Sequence, residues 1–157
     1  MKFQFWSLGK PHEPYIREGV DAFTRRISNY YPVQWNILAP PKNAGLATEP
    51  ELKKKEAEMV LALLSKTDYL VALDERGSSI SSAQLAAFIQ TRANESARQV
   101  IFLIGGAYGL HERVLERADY KWSLSLLTFP HQLVRLILAE QVYRACSILR
   151  NEKYHHQ

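Results

Sequence analysis

Apolar positions along the chain follow two rhythms, one of period two and one of period 3.6. Lys2 to Leu8 sets Phe3, Phe5 and Ser7 against Gln4, Trp6 and Leu8. That predicts a strand with a weak in/out pattern. Ile16, Val20, Phe23, Ile27 and Tyr30 then recur at helical spacing, with Pro14 suited to the first turn. Val33, Trp35, Ile37 and Ala39 alternate as a second strand, which Pro40-Pro41 stops. Thr48 and Glu51 form a capping box ahead of a helix faced by Leu52, Met59, Val60, Leu63 and Leu64. Lys53, Lys54 and Lys55 read as its solvated face, with phosphate contact as the alternative.

Two short, nearly continuous apolar runs follow, Tyr69 to Leu73 and Val100 to Ile104. Such runs fit strands buried on both faces. Between them Ser81 and Gln84 cap another helix, which turns Leu85, Phe88 and Ile89 inward. A short helix from His111 to Arg117 comes next. Trp122, Leu124 and Leu126 alternate with Ser123 and Ser125, a fifth strand over Lys121 to Leu126. The stretch from His131 to Leu149 is a long helix with Leu133, Leu136, Ile137, Tyr143 and Ile148 expected inward, and the polar tail Asn151 to Gln157 follows. Strands alternating with helices predict an α/β domain with a mainly parallel sheet flanked by helices.

Composition narrows this further. At 157 residues, 46% hydrophobic and 23% charged, the chain predicts one domain spanning residues 1–157 with a full core. The longest apolar run is six residues, Met59 to Leu64, far short of the roughly 20 of a membrane helix. Cys146 is the lone cysteine, so a disulfide framework is excluded and a reducing cytoplasm is the expected compartment. It reads as a small core residue. The net charge is +4. Residues 67–119 carry 5 basic and 7 acidic side chains, residues 120–157 carry 5 and 2, so the basic excess lies at the C-terminal end. Any contact with RNA is therefore expected at a local site.

In an open α/β sheet, ligands bind outside the carboxyl ends of the strands. Three loops here leave strands at such ends: Leu73 to Gly77, Gly105-Gly106, and Leu126 to Pro130. The glycines let a ligand approach the main chain. The spacing in Gly105-Gly106-Ala107-Tyr108-Gly109-Leu110 is not G-x-G-x-x-G, and no phosphate-loop Lys-Ser/Thr follows. No G-x-S-x-G elbow and no H-E-x-x-H pattern occurs. By residue type and spacing alone, the chain offers a small, apolar, backbone-rich ligand site without a metal.

The C-terminal third is more specific. Leu124-Ser125-Leu126-Leu127-Thr128-Phe129-Pro130-His131-Gln132-Leu133-Val134-Arg135 leads into Ala139-Glu140-Gln141-Val142-Tyr143-Arg144-Ala145 and then Tyr154-His155. With Leu73-Asp74-Glu75-Arg76-Gly77 and the Gly105-Gly106 loop, this resembles the ribosomal RNA large-subunit methyltransferase H family, small SPOUT-class enzymes. The resemblance covers essentially the whole chain and is strongest from Leu70 onward.

The resemblance implies a SPOUT-type α/β knot with a C-terminal trefoil, and a homodimer. It implies S-adenosylmethionine as cofactor and methyl transfer to N3 of a pseudouridine in helix 69 of 23S rRNA on assembled ribosomes. It places the cofactor contacts on Leu73, Gly105, Leu124, Ser125, Leu126, Leu127, Thr128 and Phe129. For the tail it implies catalytic roles: His155 as the proton acceptor and Tyr154 as a partner of the target base. Where the family has Arg or Lys after Tyr-His, this chain has His156, a weaker anion partner at neutral pH. Arg135 and Arg144 are expected to contact RNA or to pair with Glu140. Two other readings stand beside this one. A SPOUT enzyme acting on transfer RNA shares fold and cofactor, and a non-enzymatic ribosome-binding factor needs only the basic C-terminal end.

Overall fold

A computed structural model describes residues 1–156, so Gln157 lies outside the described residues. In chain order the elements are β1 (Lys2–Leu8), α1 (Pro14–Ile27), β2 (Val33–Leu38), a 3-10 turn (Ala44–Leu46), α2 (Glu49–Leu63) and β3 (Tyr69–Ser79). Then follow α3 (Ser82–Asn94), β4 (Gln99–Ile104), α4 (Glu112–Arg117), β5 (Tyr120–Ser123) and α5 (His131–Leu149). The strands form one sheet in the order β2-β1-β4-β3-β5, and every pair is parallel.

Helices cover both faces, which explains the weak alternation of β1. Phe3 and Phe5 pack with Phe102, Leu85, Leu138 and Val142 on the side of α1, α3 and α5. Trp6 and Leu8 pack with Leu103, Val60 and Val114 on the side of α2 and α4. With both faces dry, both residue sets of a strand must be apolar. Both expected capping boxes are present, with Thr48 Oγ1 accepting from the Glu51 amide at 3.3 Å and Ser81 Oγ accepting from the Gln84 amide at 3.1 Å. Cys146 is buried, and burial pushes its thiol up to about 12, so it is an inert core residue.

Three expectations need correction. First, β3 does not end at Leu73. Leu73 and Ser78 both pair with Trp122, so Asp74–Gly77 is a bulge extruded from one longer strand. Second, β5 stops at Ser123 instead of running to Leu126. The Ser123 hydroxyl donates to the Ser125 carbonyl at 3.0 Å and the Leu127 amide donates to Ser125 Oγ at 3.0 Å, which folds the chain away from the sheet. Leu126 is then 95% exposed. Third, the stripe of α5 that is fully buried is Arg135, Leu138, Ala139, Val142, Ala145, Cys146 and Ser147. Leu133, Leu136, Ile137, Tyr143 and Ile148 are only half-buried. Apolar residues wrap most of this helix, so apolar spacing alone does not pick its inner stripe.

Gly77 closes the bulge. A Cβ there would stand 2.6 Å from the Lys121 carbonyl and 2.7 Å from the Trp122 amide nitrogen, both backbone atoms that no rotamer change relieves. Gly77→Ala should therefore lower the unfolding free energy by about 1–3 kcal/mol, the scale of core overpacking. A denaturant midpoint equal to that of the parent would show that the bulge slides freely.

Candidate active site

The loops after β3 and β4 leave the sheet in opposite directions, since β4 lies between β1 and β3 while the next strand crosses to the far edge. A crevice opens at such a switch point. It holds a cavity of about 570 Å³, within the usual range of small-molecule sites. Of the expected cofactor residues, Leu73, Gly105, Leu124, Ser125, Leu127, Thr128 and Phe129 line it. Leu126 does not, because the serine turn points it to solvent.

The lining also includes residues that the pattern did not single out: Lys53, Ile104, Trp122, His131 and Val134. Lys53 reaches it from α2, where it read as one of three lysines on a solvated face or in contact with phosphate. Trp122 looked like an ordinary core residue of β5. It is buried, and its indole N–H has no partner among the described residues.

Charge at the cavity is organised by the bulge. The Arg76 guanidinium and amide both donate to Asp74 Oδ1, at 3.0 and 2.8 Å. Burial alone would raise the Asp74 carboxyl, but these bonds outweigh it and hold the group below its ordinary value. The cavity wall thus keeps an ionised carboxylate at neutral pH.

Gly105 and Gly106 form the opposite wall. The Gly109 amide donates to the Gly106 carbonyl at 3.1 Å, which folds the loop back on itself. Gly109 has φ +80, in the left-handed region that glycine enters without strain. A Cβ on Gly105 would sit 3.1 Å from both the Gly109 carbonyl carbon and Leu110 Cγ.

The tail docks on α5 and is not frayed. The Tyr154 hydroxyl donates to Glu140 Oε1 at 3.0 Å, and its ring meets Tyr143 edge-on at 4.7 Å. Arg144 donates through Nε to the same Glu140 oxygen at 2.9 Å and lies 4.7 Å from the Tyr154 ring centroid. It also donates to His155 Nδ1 at 3.2 Å. Burial, then the Glu140 carboxylate, raises the Tyr154 hydroxyl above its ordinary pKa. Glu140 therefore pairs with Arg144, as the i, i+4 spacing suggested. His156 is exposed.

Arg135 departs from both expectations. It is 1% exposed, so it does not face RNA, and Glu140 is not its partner. Its Nε donates to Ser7 Oγ at 2.8 Å and one terminal nitrogen donates to His12 Nδ1 at 3.2 Å. Burial, then the Arg135 charge, pushes the His12 pKa below its ordinary value. His12 is thus neutral when folded, while the unfolded chain takes up a proton near pH 6.5. Stability from this pair is complete above that pH and declines as pH falls through the folded value. Between pH 7 and pH 5 the parent should lose more unfolding free energy than His12→Gln, which keeps an acceptor for Arg135 and does not titrate. Parallel pH curves for the two proteins would contradict this.

Comparison with known proteins places this geometry. The family described as predicted SPOUT methyltransferase matches residues 1–155. The ribosomal RNA large subunit methyltransferase H of Cytophaga hutchinsonii is 42% identical over 156 residues, covering 99% of this chain and 100% of that protein. The protein of the same name from Flavobacterium johnsoniae is 40% identical and covers 100% of both chains. Among solved structures, a probable methylase family protein from Haemophilus influenzae superposes with a TM-score of 0.57 at 11% identity, covering 99% of this chain and 70% of that one. That last likeness speaks for the fold alone. Identity of this order from end to end means that the cavity loops and the tail belong to one shared protein type, not to a borrowed module. The chain belongs to the SPOUT methyltransferases and, within them, to the ribosomal RNA large subunit methyltransferase H family.

Proposed function

We propose that this chain transfers a methyl group from S-adenosylmethionine to N3 of a pseudouridine in helix 69 of 23S rRNA. It does so on assembled ribosomes in the cytoplasm, as a homodimer and without a metal. The observation that carries the reading is the end-to-end likeness to relatives named for ribosomal RNA methylation, joined to a cavity of cofactor size at the three loops.

The cavity suits the cofactor chemically. Ile104, Leu124 and Phe129 offer apolar surface to a flat base, and the glycine loop offers bare backbone polar groups. Asp74, held ionised, offers a counter-charge to a ligand that carries a sulfonium and an ammonium. Trp122 has an indole donor to spare. When bound, the cofactor supplies an activated methyl group on a good leaving group. The chain then has to hold the target base in line with that methyl and accept its imide proton.

His155 is the proposed acceptor. Arg144 can only donate, so its bond to His155 Nδ1 puts the ring proton on Nε2. The ring accepts a proton only after Arg144 leaves Nδ1. Tyr154 is the proposed stacking partner of the base.

The same geometry supports two copies. Val134 lines the cavity and Arg144 lies under the tail, ten residues further along α5. At 1.5 Å per residue that sets His155, held at Arg144, about 15 Å along the helix from Val134, and Tyr154, held at Glu140, about 9 Å, so the docked tail is offset from its own cavity. A second copy brings a tail to each cavity and covers the half-buried Leu133, Leu136 and Ile137.

Labelled S-adenosylmethionine offered with intact 70S ribosomes, and separately with transfer RNA, tests the substrate. Label in 23S rRNA, with the modified base identified as N3-methylpseudouridine, is the expected result. Label only in transfer RNA would favour the alternative SPOUT reading. Cofactor-independent ribosome binding without transfer would favour a non-enzymatic factor.

A further inference from the structure

Glu56 stands on α2 behind the glycine loop, outside the cavity lining. It is only 7% exposed, and its Oε1 has no hydrogen-bond partner among the described residues. Its carboxyl fills the space that a side chain on Gly106 would take. A Cβ there would lie 2.7 Å from Glu56 Oε2 and 3.2 Å from Oε1. Gly106 in turn accepts the Gly109 amide that closes the loop, and its other side faces the cavity. The carboxyl and the loop are therefore interlocked across one residue.

The surroundings give Glu56 no counter-charge. The charged side chains on neighbouring elements are Glu49, Glu51, Lys53, Lys54, Lys55 and Glu58 on α2, Glu112, Arg113, Glu116 and Arg117 on α4, and Asp74, Glu75 and Arg76 in the bulge. None of them pairs with Glu56 among the described residues, and Arg76 is engaged by Asp74 and Glu112. An ionised carboxylate buried without a partner is far costlier than the neutral acid.

We propose that Glu56 is a positioning residue: as an uncharged acid it props Gly106 from behind and holds the Gly105–Leu110 loop in the shape that forms the cofactor wall. Desolvation raises its pKa, in keeping with this. The sign follows from linkage. An acid with a raised folded pKa contributes stability at low pH that is lost as pH rises through the folded value. Ionisation then drives the carboxyl toward water and loosens the loop.

The inference rests on the cofactor reading of the cavity, so its test has a ligand-free arm. Without cofactor, hydrogen exchange at the 105–110 amides should quicken several-fold in the parent as pH rises from the ordinary carboxylate range to pH 9, beyond the intrinsic pH effect. Glu56→Gln, uncharged and of the same shape, should show no such excess, and Glu56→Ala should exchange fast at both ends of that range. With S-adenosylmethionine in calorimetry, the parent and Glu56→Gln should bind equally at the low end of that range, and only the parent should weaken at pH 9, by about tenfold. Exchange in Glu56→Gln as fast as in Glu56→Ala would mean that the ionised carboxylate is the working form and would overturn the proposal. So would identical pH profiles for the parent and Glu56→Gln. Expected exchange behaviour with no cofactor binding by any variant would instead sink the reading of the cavity.

Discussion

Gly105→Val should reduce S-adenosylmethionine affinity by at least about 100-fold in a protein that still folds. The position already has no slack. A bare Cβ would stand 3.1 Å from the Gly109 carbonyl carbon and 3.1–3.2 Å from two carbons of Leu110. Valine adds two methyl groups at Cβ, with χ1 restricted by branching. Leu110 is buried in the core shared with Val60, Leu103 and Val114 and cannot retreat into solvent. The loop must therefore swing off that core or turn the methyls into the cavity, and either movement spoils the wall. Gly105→Ala meets the same neighbours with two carbons fewer and should lose only about tenfold. Calorimetry on both variants, with circular dichroism to establish folding, reads the difference. A folded Gly105→Val that binds at parental strength would remove the glycine loop from the site.

How legible this was in the sequence differs by region. Strands β3 and β4 were plain because a parallel strand covered on both faces is an unbroken apolar run, as in Val100 to Ile104. The starts of α2 and α3 were plain because a capping box is a local signal that needs no tertiary partner. The bulge at Asp74–Gly77 was not legible as a bulge. Asp, Arg and Gly mark a turn, and whether the strand resumes afterwards depends on the pairing of Ser78 and Ser79 with β5. Nor was the inner face of α5. The burial of Arg135 depends on Ser7 and His12, more than 120 residues away in sequence. Family membership implies the C-terminal trefoil knot, and no periodicity argument reaches it, since pattern reading assumes unthreaded connections.

The candidate site shows the same division. Turn residues after strand ends mark the loops that begin at Leu73, Gly105 and Leu126, while the likeness to the family is what names Leu73, Gly105 and the segment from Leu124 to Phe129 as cofactor contacts. Lys53 and Trp122 were missed, since their approach to the cavity is set by how α2 and β5 pack on the sheet. Glu56 carried no signal at all. On a helix it reads as one more charged surface residue, and only its 7% exposure separates it from Glu58 two residues on, which is exposed.

Deleting residues 154–157 should lower turnover on ribosomes by about 100-fold or more, the scale of losing general acid–base help. The deletion also removes the Tyr154 bond to Glu140 and the Tyr154–Tyr143 contact. A modest loss of stability, on the order of 1 kcal/mol, is expected from one partly exposed hydrogen bond and its aromatic contact. Cofactor affinity should hold, because no tail residue among those described lines the cavity. His155→Ala should give most of the kinetic loss and His156→Ala little, since His156 is exposed while His155 is held by Arg144. Tyr154→Phe keeps the ring and removes only the hydroxyl, so it separates stacking from the Glu140 anchor. A further outcome follows from the separation of tail and cavity along α5. Tail-deleted protein and Gly105→Val, each inactive alone, should recover activity when their subunits are exchanged, because the mixed dimer contains one intact cavity and one intact tail. Recovery requires that the tail act across the dimer. Full loss in both parents with no recovery, in a mixture shown by mass to contain mixed dimers, would place tail and cavity in the same subunit. The tail would then have to leave Glu140 and Tyr143 to reach the base.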